Sequence, residues 1–273
     1  MKHSNLISLV ILMIFLPAQL KPGFERINLH PRINGKGLSG IASKRYYNAE
    51  LNPASLIKRN INFSFIHTPS EFGLEELSSN SFLANFTLWD QPFTTSIRKF
   101  GSNLYEENNY NISSSRLIDN DFAFGASINL NQVSIKNYGN ITEASIDLGI
   151  NFQLSENISV GVVGWNINQR MLNKLENEIP FVGGWGIAYQ FSNDGEVCVD
   201  VIKDINAPLE IIIGGEYMIH ENVILLAGLN SMRSIYSGGF VINWGGLEFS
   251  FSINQHTILG ATKSFAITFN FDK

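Results

Sequence analysis

The sequence predicts an all-β protein: a single transmembrane antiparallel β-barrel of about 14 strands, with an N-terminal segment that plugs the lumen. Three observations predict this fold. Apolar and polar residues alternate in many short runs, which is the pattern of a strand with one apolar and one polar face. Charged residues make up 16% of the chain, against about 25% in a typical soluble domain. The mean hydropathy is +0.04, as expected for a barrel in which the apolar residues of the outer face offset the polar residues of the inner face.

The first twenty residues have the pattern of a secretory signal peptide. Lys2 and His3 form a short basic region, and an apolar run follows from 6 to 16. That run is shorter than a bilayer span requires, and an N-terminal anchor helix is the alternative interpretation. We therefore assign residues 1–20 to a signal peptide, 21–56 to a plug segment and 57–273 to the barrel.

The predicted plug segment does not alternate and is rich in glycine. It contains a Gly35-Lys36-Gly37 stretch and ends at Asn52-Pro53-Ala54-Ser55-Leu56. The Gly-Lys-Gly stretch is not a phosphate-binding loop, because no strand precedes it and its spacing is wrong. We expect this segment to fold back into the lumen of the barrel.

From residue 60 onward, one alternating run follows another. In the clearest run, apolar residues at even positions from Ala144 to Leu154 alternate with polar or small residues. The predicted strands cover 61–65, 82–88, 93–101, 122–130, 133–138, 144–154, 158–167, 181–191, 197–201, 209–217, 223–229, 235–244, 247–253 and 265–271. This makes about fourteen strands, and bacterial outer-membrane barrels have an even number.

The connections between the runs form two alternating sets. Tight turns are predicted at Asp90-Gln91, Asn131-Gln132, Ser155-Glu156-Asn157, Asn193-Asp194-Gly195, His220-Glu221-Asn222 and Gly245-Gly246. Longer links are predicted at 68–79, 102–119 and 169–178. Short turns at one end and longer loops at the other are typical of an outer-membrane barrel, with both termini in the periplasm.

A secreted β-sandwich is the alternative fold, because its strands also alternate. The polar faces of a sandwich would carry Lys, Glu and Arg in water. Here those faces are dominated by Ser, Gly, Asn and Ala, the small residues that a crowded barrel interior needs. Aromatic residues at strand ends are predicted to form interfacial girdles: Trp89, Trp165, Trp185, Tyr189, Tyr217 and Trp244.

Five acidic residues fall on predicted inner faces. They are Asp147, Asp200, Glu210, Glu216 and Glu248, and the period of two places Glu210 and Glu216 on the same face. An acid in a lumen needs water or a cationic partner, for which Arg98 and Lys136 are candidates. With Asn52 and Pro53, these five are our candidate lumen and plug residues. We expect them to hold the plug in place rather than to line a solute path.

Several function classes are excluded. The net charge of −5 and the lack of a basic stripe argue against nucleic acid as a partner. The sequence has neither a Gly-x-Ser-x-Gly nucleophile elbow nor a His-x-x-x-His pair, so we predict no enzyme, no catalytic residue and no cofactor. His67 and His256 are predicted to lie near each other at the outer rim, but without a third ligand they predict no metal site. The single cysteine, Cys198, is predicted to be buried and inert.

Three short motifs carry a family resemblance. They are the Asn52-Pro53-Ala54-Ser55-Leu56 element, the Asp147-Leu148-Gly149 triplet within a strand, and Leu259-Gly260-Ala261-Thr262 followed by the final run from Phe265 to Phe271. With these motifs the chain resembles the long-chain fatty-acid transporter superfamily and its PorV/PorQ relatives of Bacteroidetes-type bacteria. The chain departs from that pattern at Gly37-Leu38-Ser39-Gly40, where the family has an Ala-Gly-Met-Gly run, and at Lys263, where a His is common.

The resemblance implies a fourteen-stranded, plugged barrel in the outer membrane of a Gram-negative bacterium. Our main hypothesis is a non-enzymatic role in type IX-like protein secretion or surface attachment. The alternatives are an uptake channel for hydrophobic solutes and a purely structural protein. The expected partners are outer-membrane lipids, secretion-system proteins or secreted cargo, and apolar small molecules. A fully occluded lumen with a continuous strand ladder favours the first or third hypothesis, and an apolar pocket beside a kinked strand favours uptake.

Overall fold

The computed structural model describes residues 29–56, 61–168, 181–204 and 207–271 of the chain. These residues form a closed barrel of 14 strands, in which each strand pairs with its neighbours in sequence and β1 pairs with β14. The strands are β1 (Asn62–Thr68), β2 (Ser79–Leu88), β3 (Gln91–Gly101), β4 (Tyr105–Leu117), β5 (Phe122–Ile135), β6 (Gly139–Ser155), β7 (Ile158–Trp165), β8 (Val182–Ser192), β9 (Gly195–Asp204), β10 (Glu210–His220), β11 (Val223–Asn230), β12 (Ile235–Trp244), β13 (Leu247–His256) and β14 (Gly260–Asn270). The predicted closed antiparallel barrel is confirmed.

The described helices are short. Helix α1 (Pro31–Asn34) and 3₁₀ helices at Tyr46–Glu50 and Pro53–Ser55 lie in the N-terminal part, and a fourth helix, Glu75–Leu77, lies between β1 and β2. Within the described residues, no helix combines the length and apolar character needed to cross a membrane. We call residues 29–56 the inner segment, because nearly all of them are buried.

The barrel closes by pairing its first strand with its last. The register runs from Asn62 opposite Asn270 to His67 opposite Phe265, without a break. Register shifts occur in three strand pairs, at Gln153/Ser155, Gln190/Ser192 and Met218/His220. Each of these shifts lies beside a tight turn, so the middle of the wall is a regular ladder of hydrogen bonds.

Side chains alternate between the two faces of the wall. In β1, Ser64 is fully buried and faces inward, whereas Phe65 is 57% exposed and faces outward. The same holds in β14, where Thr268 is buried and Phe269 is exposed. The outward orientation of the large apolar residues, with small polar residues inside, is as the sequence predicted.

Two strand predictions were wrong, and they cancelled in the count. Strand β4 occupies the stretch that we predicted as a loop over 102–119, and 133–138 is the end of β5 and its turn rather than a separate strand. The predicted turn at Asn131-Gln132 therefore lies inside β5, where these residues pair with Glu143 and Thr142. The first half of β4 is polar on both faces, so the period-2 apolar signal is weak there.

Neighbouring strands are antiparallel, so alternate connections lie at the same end of the barrel. At one end these connections are tight turns. They span 89–90, 118–121, 156–157, 193–194, 221–222 and 245–246. The first turn is Trp89-Asp90 rather than the predicted Asp90-Gln91, and both residues have positive φ (49° and 61°), as a two-residue hairpin turn of this hand requires. The predicted signal peptide and the predicted loop at 169–178 lie outside the described residues.

Candidate functional site in the barrel lumen

The inner segment lies against the inward faces of strands around the barrel. Helix α1 contacts β12, β13 and β14, and the 3₁₀ helix at Pro53–Ser55 contacts β4, β5 and β6. Between these two regions, residues 36–44 contact β6 to β11. The candidate site is therefore the interface between this segment and the lumen wall.

Glu216 of β10 is the centre of a buried charge cluster. Its carboxylate accepts hydrogen bonds from Arg32 Nη2 at 3.3 Å and from the Tyr47 hydroxyl at 2.8 Å. Arg45 Nε lies 3.3 Å from Glu216 Oε1, and Lys36 Nζ lies 3.7 Å from its Oε2. Buried charges are tolerated only when they are paired, so these cations dock the inner segment onto β10.

Two more wall carboxylates complete the cluster. Arg32 Nη1 donates to Glu248 Oε2 of β13 at 3.0 Å. Lys36 Nζ lies 3.7 Å from Glu196 Oε1 of β9. Three cations of the inner segment thus face three carboxylates of β9, β10 and β13.

Asp200 of β9 holds the backbone of the inner segment. Its Oδ2 accepts hydrogen bonds from the amides of Gly40 at 2.6 Å and Ile41 at 3.0 Å. Two consecutive amides thus converge on one carboxylate oxygen and fix the loop at this point. Nearby, the hydroxyl of Ser43 donates to Glu196 at 2.7 Å.

Asn52 links the inner segment both to itself and to the wall. Its Nδ2 donates to the carbonyls of Ile41 at 2.8 Å and of Ile150 in β6 at 3.1 Å, and its Oδ1 accepts from the Ala54 amide at 3.0 Å. A Cβ on Gly149 would overlap the Asn52 side chain, and a Cβ on Gly125 would overlap the backbone of Pro53. These wall glycines let the backbone of the segment lie directly on the sheet.

Trp165 corrects the girdle prediction. It is 2% exposed, and its indole Nε1 donates to the carbonyl of Leu51 in the inner segment at 2.8 Å. It lies on the inward face of β7 with Val163, and Gly184 of the next strand leaves room for its ring. Because side chains alternate along β7, the Trp165 ring lies on the inward face rather than in an outer girdle. The other five predicted girdle residues are exposed: Trp89, Trp185, Tyr189, Tyr217 and Trp244.

Asp147 and Glu210 are buried on the inner face, but their described partners lie in the wall and its loops. Asp147 accepts from Ser127 at 3.0 Å, from Asn129 at 2.9 Å and from the amide of Asn166 at 2.8 Å. Glu210 accepts from Asn230 Nδ2 at 2.5 Å and from Arg233 Nε at 3.2 Å. The structure therefore brings Asp200, Glu216 and Glu248 to the inner segment and places these two acids in separate networks.

Sequence reasoning missed the cations that pair with the lumen acids. Arg98, a predicted partner of those acids, instead pairs with Glu50 of the inner segment at 2.8 Å. The partners of the acids are Arg32, Lys36 and Arg45, which stand in a segment with no periodic pattern. One signal in the sequence could have indicated these pairs. The non-alternating segment contains several basic residues, and the predicted inner faces of the strands contain acidic ones.

His30 is buried beside this cluster. Its ring stacks on Tyr47 with centroids 5.5 Å apart, and its Nδ1 accepts from the Arg32 amide at 3.3 Å. Burial, together with the nearby Arg32 charge, lowers the pKa of His30 from 6.5 to about 3. The imidazole is therefore neutral at physiological pH.

An apolar cluster also joins the inner segment to the wall. Leu29, Ile33, Leu38, Tyr47 and Leu51 pack with Ile66 of β1, Leu83 of β2, Ile212 of β10 and Ala266 of β14. The lumen side of porin-type barrels is polar. This barrel thus offers an apolar surface in its interior, which the inner segment covers.

The two histidines that were predicted to lie near each other at the outer rim, His67 and His256, bond to other residues. His67 Nδ1 lies 2.9 Å from Asn80 Oδ1, and His256 Nδ1 accepts from the amides of Ile258 and Leu259. Within the part of the chain that the structure describes, no three His, Cys, Asp or Glu side chains are grouped as metal ligands. Cys198 is fully buried on the inner face of β9.

The comparisons with known proteins concern the fold. No protein-family model matches the chain, and no curated protein matches its sequence. Among solved structures, a Pseudomonas aeruginosa FadL homologue aligns with a TM-score of 0.60 at 10% identity, over 92% of this chain and 100% of that one. The Ralstonia pickettii toluene transporter TbuX aligns with a TM-score of 0.61 at 12% identity, over 90% and 98%. A deletion mutant of the monoaromatic hydrocarbon channel TodX aligns with a TM-score of 0.66 at 12% identity, over 90% and 99%.

The chain therefore has the barrel fold of these channels along nearly its whole length. The broader predicted resemblance, to the fatty-acid transporter type of barrel, is confirmed at the level of fold. The narrower resemblance to PorV/PorQ proteins stays a prediction, because the comparisons above do not support it.

Proposed function

We propose that this protein is a Gram-negative outer-membrane barrel that takes up small apolar molecules, with the inner segment as its plug. The observation that carries the proposal is the fold that it shares, over about nine-tenths of its length, with a toluene transporter and a hydrocarbon channel. Uptake was the alternative among our hypotheses. The regular strand ladder is the feature that we expected of the other two hypotheses, but the fold neighbours favour uptake over a role in secretion. The outward apolar residues of the strands supply the lipid-facing surface.

The apolar cluster supports the proposal from within the lumen. Ile66 and Leu83 lie on the inward faces of neighbouring strands, and both are less than 5% exposed. Leu51 and Tyr47 of the inner segment belong to the same cluster. When the inner segment moves, Ile66 and Leu83 become an apolar seat for a solute, which a purely polar lumen lacks.

Expression of the full chain in a Gram-negative host tests location and transport together. We expect the protein in the outer-membrane fraction, with a gel mobility that changes on heating, as for folded barrels. Cells that carry it take up radiolabelled toluene faster than cells with an empty vector. Leu83→Asn lowers this rate because it makes the seat polar, whereas the control Leu83→Met keeps it. Equal uptake with and without the folded barrel in the outer membrane would refute the proposal.

A further inference from the structure

The carboxylates that dock the inner segment are confined to one part of the lumen wall. Strands β9, β10 and β13 carry the carboxylates that dock the inner segment. The inward positions of β1 to β4 instead carry mostly small uncharged polar residues. We call these positions the hydroxyl-amide wall; it includes Asn62, Ser81, Asn85, Thr94, Ser96 and Ser113, all buried.

The hydroxyl-amide wall gives the inner segment few polar contacts. Among the described residues, Arg98 of β3 pairs with Glu50, and the hydroxyl of Ser115 in β4 donates to the Leu56 carbonyl. Other side chains of the wall bond to one another, as Asn85 does to Asn62. The charged contacts of the inner segment therefore lie mainly on β9, β10 and β13, whereas its contacts with β1 and β2 are largely apolar.

Several polar atoms of this wall are buried without any partner. They are Nδ2 of Asn62, Oγ of Ser81 and Oγ of Ser113, on side chains of residues that are 1%, 8% and 2% exposed. Buried polar groups are almost always hydrogen-bonded, because an unpaired one loses its hydration without compensation. These three atoms point to a wall that binds water or a hydroxylated solute when the inner segment moves away.

The charges of the wall narrow the class of solute. Within the described residues of β1 to β4, the charged side chains at inward positions are Arg98 and Glu107, and they have opposite signs. Hydroxyl and amide groups offer both donors and acceptors. Such a surface matches an uncharged solute with many hydroxyl groups better than it matches an ion or a hydrocarbon.

We propose that the hydroxyl-amide wall lines a second passage, which carries small uncharged hydrophilic solutes of the sugar or polyol class. The ion pair between Glu50 and Arg98 acts as the latch of this passage. When it opens, the inner segment swings away from β1 to β4 while Arg32 and Lys36 stay bound to Glu216, Glu248 and Glu196. The apolar seat at Ile66 and Leu83 lies on the inward faces of the same strands, so the same movement uncovers both surfaces; the two proposals differ in the groups that bind the solute.

Osmotic swelling of proteoliposomes that contain the full chain tests this passage. With arabinose as the probe, we expect Arg98→Ala to raise the swelling rate at least several-fold over the wild type, because it removes the latch. Adding Ser113→Trp to Arg98→Ala returns the rate to that of the wild type, because the indole fills the wall. The matched control is Ile112→Trp in the same background; Ile112 is the neighbour of Ser113 in β4 but is 48% exposed on the outward face, and we expect the rate to stay high.

A heat-modifiable gel shift reports whether each variant is a folded barrel. Should Ser113→Trp fail to fold, Ser113→Cys in a Cys198→Ala, Arg98→Ala background replaces it. We expect a membrane-impermeant thiol reagent to slow arabinose swelling in that variant. An unchanged swelling rate in Arg98→Ala, or full swelling after Ser113 is blocked, refutes the passage. Toluene uptake is measured separately, so either proposal can fail without the other.

Discussion

Arg32 Nη1 lies 3.0 Å from Glu248 Oε2, although 216 residues separate them in the chain. The same guanidinium also donates to both carboxylate oxygens of Glu216 at 3.3 Å. One side chain of the inner segment thus binds β10 and β13 together. Glu216 and Glu248, which the sequence analysis placed on the lumen wall, therefore bind the inner segment.

Replacing Glu216 is expected to release the inner segment. Glu216→Ala leaves Arg32, Lys36 and Arg45 without their shared carboxylate, and breaking a buried pair in this way costs about 3–5 kcal/mol. Because Cys198 is the single cysteine and is fully buried, its labelling by a maleimide reports the movement. We expect labelling to become at least tenfold faster in the folded barrel.

The control for this test is Glu221→Ala, in the exposed turn between β10 and β11. It removes the same charge far from the cluster, and its labelling rate is expected to match that of the wild type. Equal labelling of the Glu216 and Glu221 variants would contradict the docking role of the cluster.

A side chain at Gly125 is expected to push the inner segment away from β5. The new Cβ of Gly125→Ala would overlap the backbone of Pro53, and overpacking of this kind costs about 1–3 kcal/mol. Urea unfolding in lipid, followed by tryptophan fluorescence, measures the loss. Gly238→Ala in β12 is the matched control, because its Cβ meets no atom nearer than 3.8 Å. A loss as large in the control would mean that strand propensity, rather than contact with Pro53, is responsible.

Trp165→Phe is expected to weaken docking while the barrel stays intact. It keeps an aromatic ring but leaves the Leu51 carbonyl without its donor, which costs about 1–3 kcal/mol in a buried site. Trp185→Phe changes a residue that is 48% exposed on the outer wall, so it serves as the control. The comparison is made on the free energy of unfolding and on the Cys198 labelling rate. The idea fails if Trp165→Phe affects neither quantity more than Trp185→Phe does.

Acid is expected to loosen the inner segment through His30. The pKa of His30 is lowered to about 3 in the folded protein, below its value of 6.5 in an unfolded chain. Between these pH values the unfolded chain binds a proton that the folded chain does not, and this proton stabilises the unfolded state. The neutral His30 therefore costs the folded protein no stability above pH 6.5, and the cost grows as the pH falls from 6.5 toward 3. We expect the free energy of unfolding to fall over this range.

His30→Gln removes the titrating group and keeps a side chain that hydrogen-bonds, so its stability is expected to depend less on pH over the same interval. The readout is the difference in slope between the two proteins, because buried carboxylates titrate in both. Identical slopes for the two proteins would show that His30 is not the group responsible.

The sequence was sufficient for the fold because outward residues such as Phe65 and Phe269 are large and apolar while their neighbours are small and polar. It failed at β4, where Glu106 and Asn108 occupy outward positions that elsewhere are apolar. Such a strand is held by its ladder partners: β4 pairs with β5 along its whole length and with β3 from Glu106 to Ser114. Backbone hydrogen bonds of this kind leave no mark on side-chain periodicity.

The site was predictable only in part. The parity of β10 placed Glu210 and Glu216 on one face, but only the folded chain shows that Glu216 meets three cations and that Glu210 meets Arg233. Trp165 shows the same limit. It is the last residue of its strand, and a change of one residue in the register would move its side chain from one face of the wall to the other. Contacts between an irregular segment and a sheet have no period, so alternation cannot reveal them.

Pairing between β1 and β14 also sets an order of events during biogenesis. Until Phe265 to Asn270 reaches Asn62 to His67, the wall has two unpaired edges and nothing encloses the inner segment. Arg32 and Lys36 would then lie outside a closed lumen, in which Glu216, Glu248 and Glu196 bind them. A chaperone or assembly factor that shields both edges would give this N-terminal segment time to settle before the seam closes.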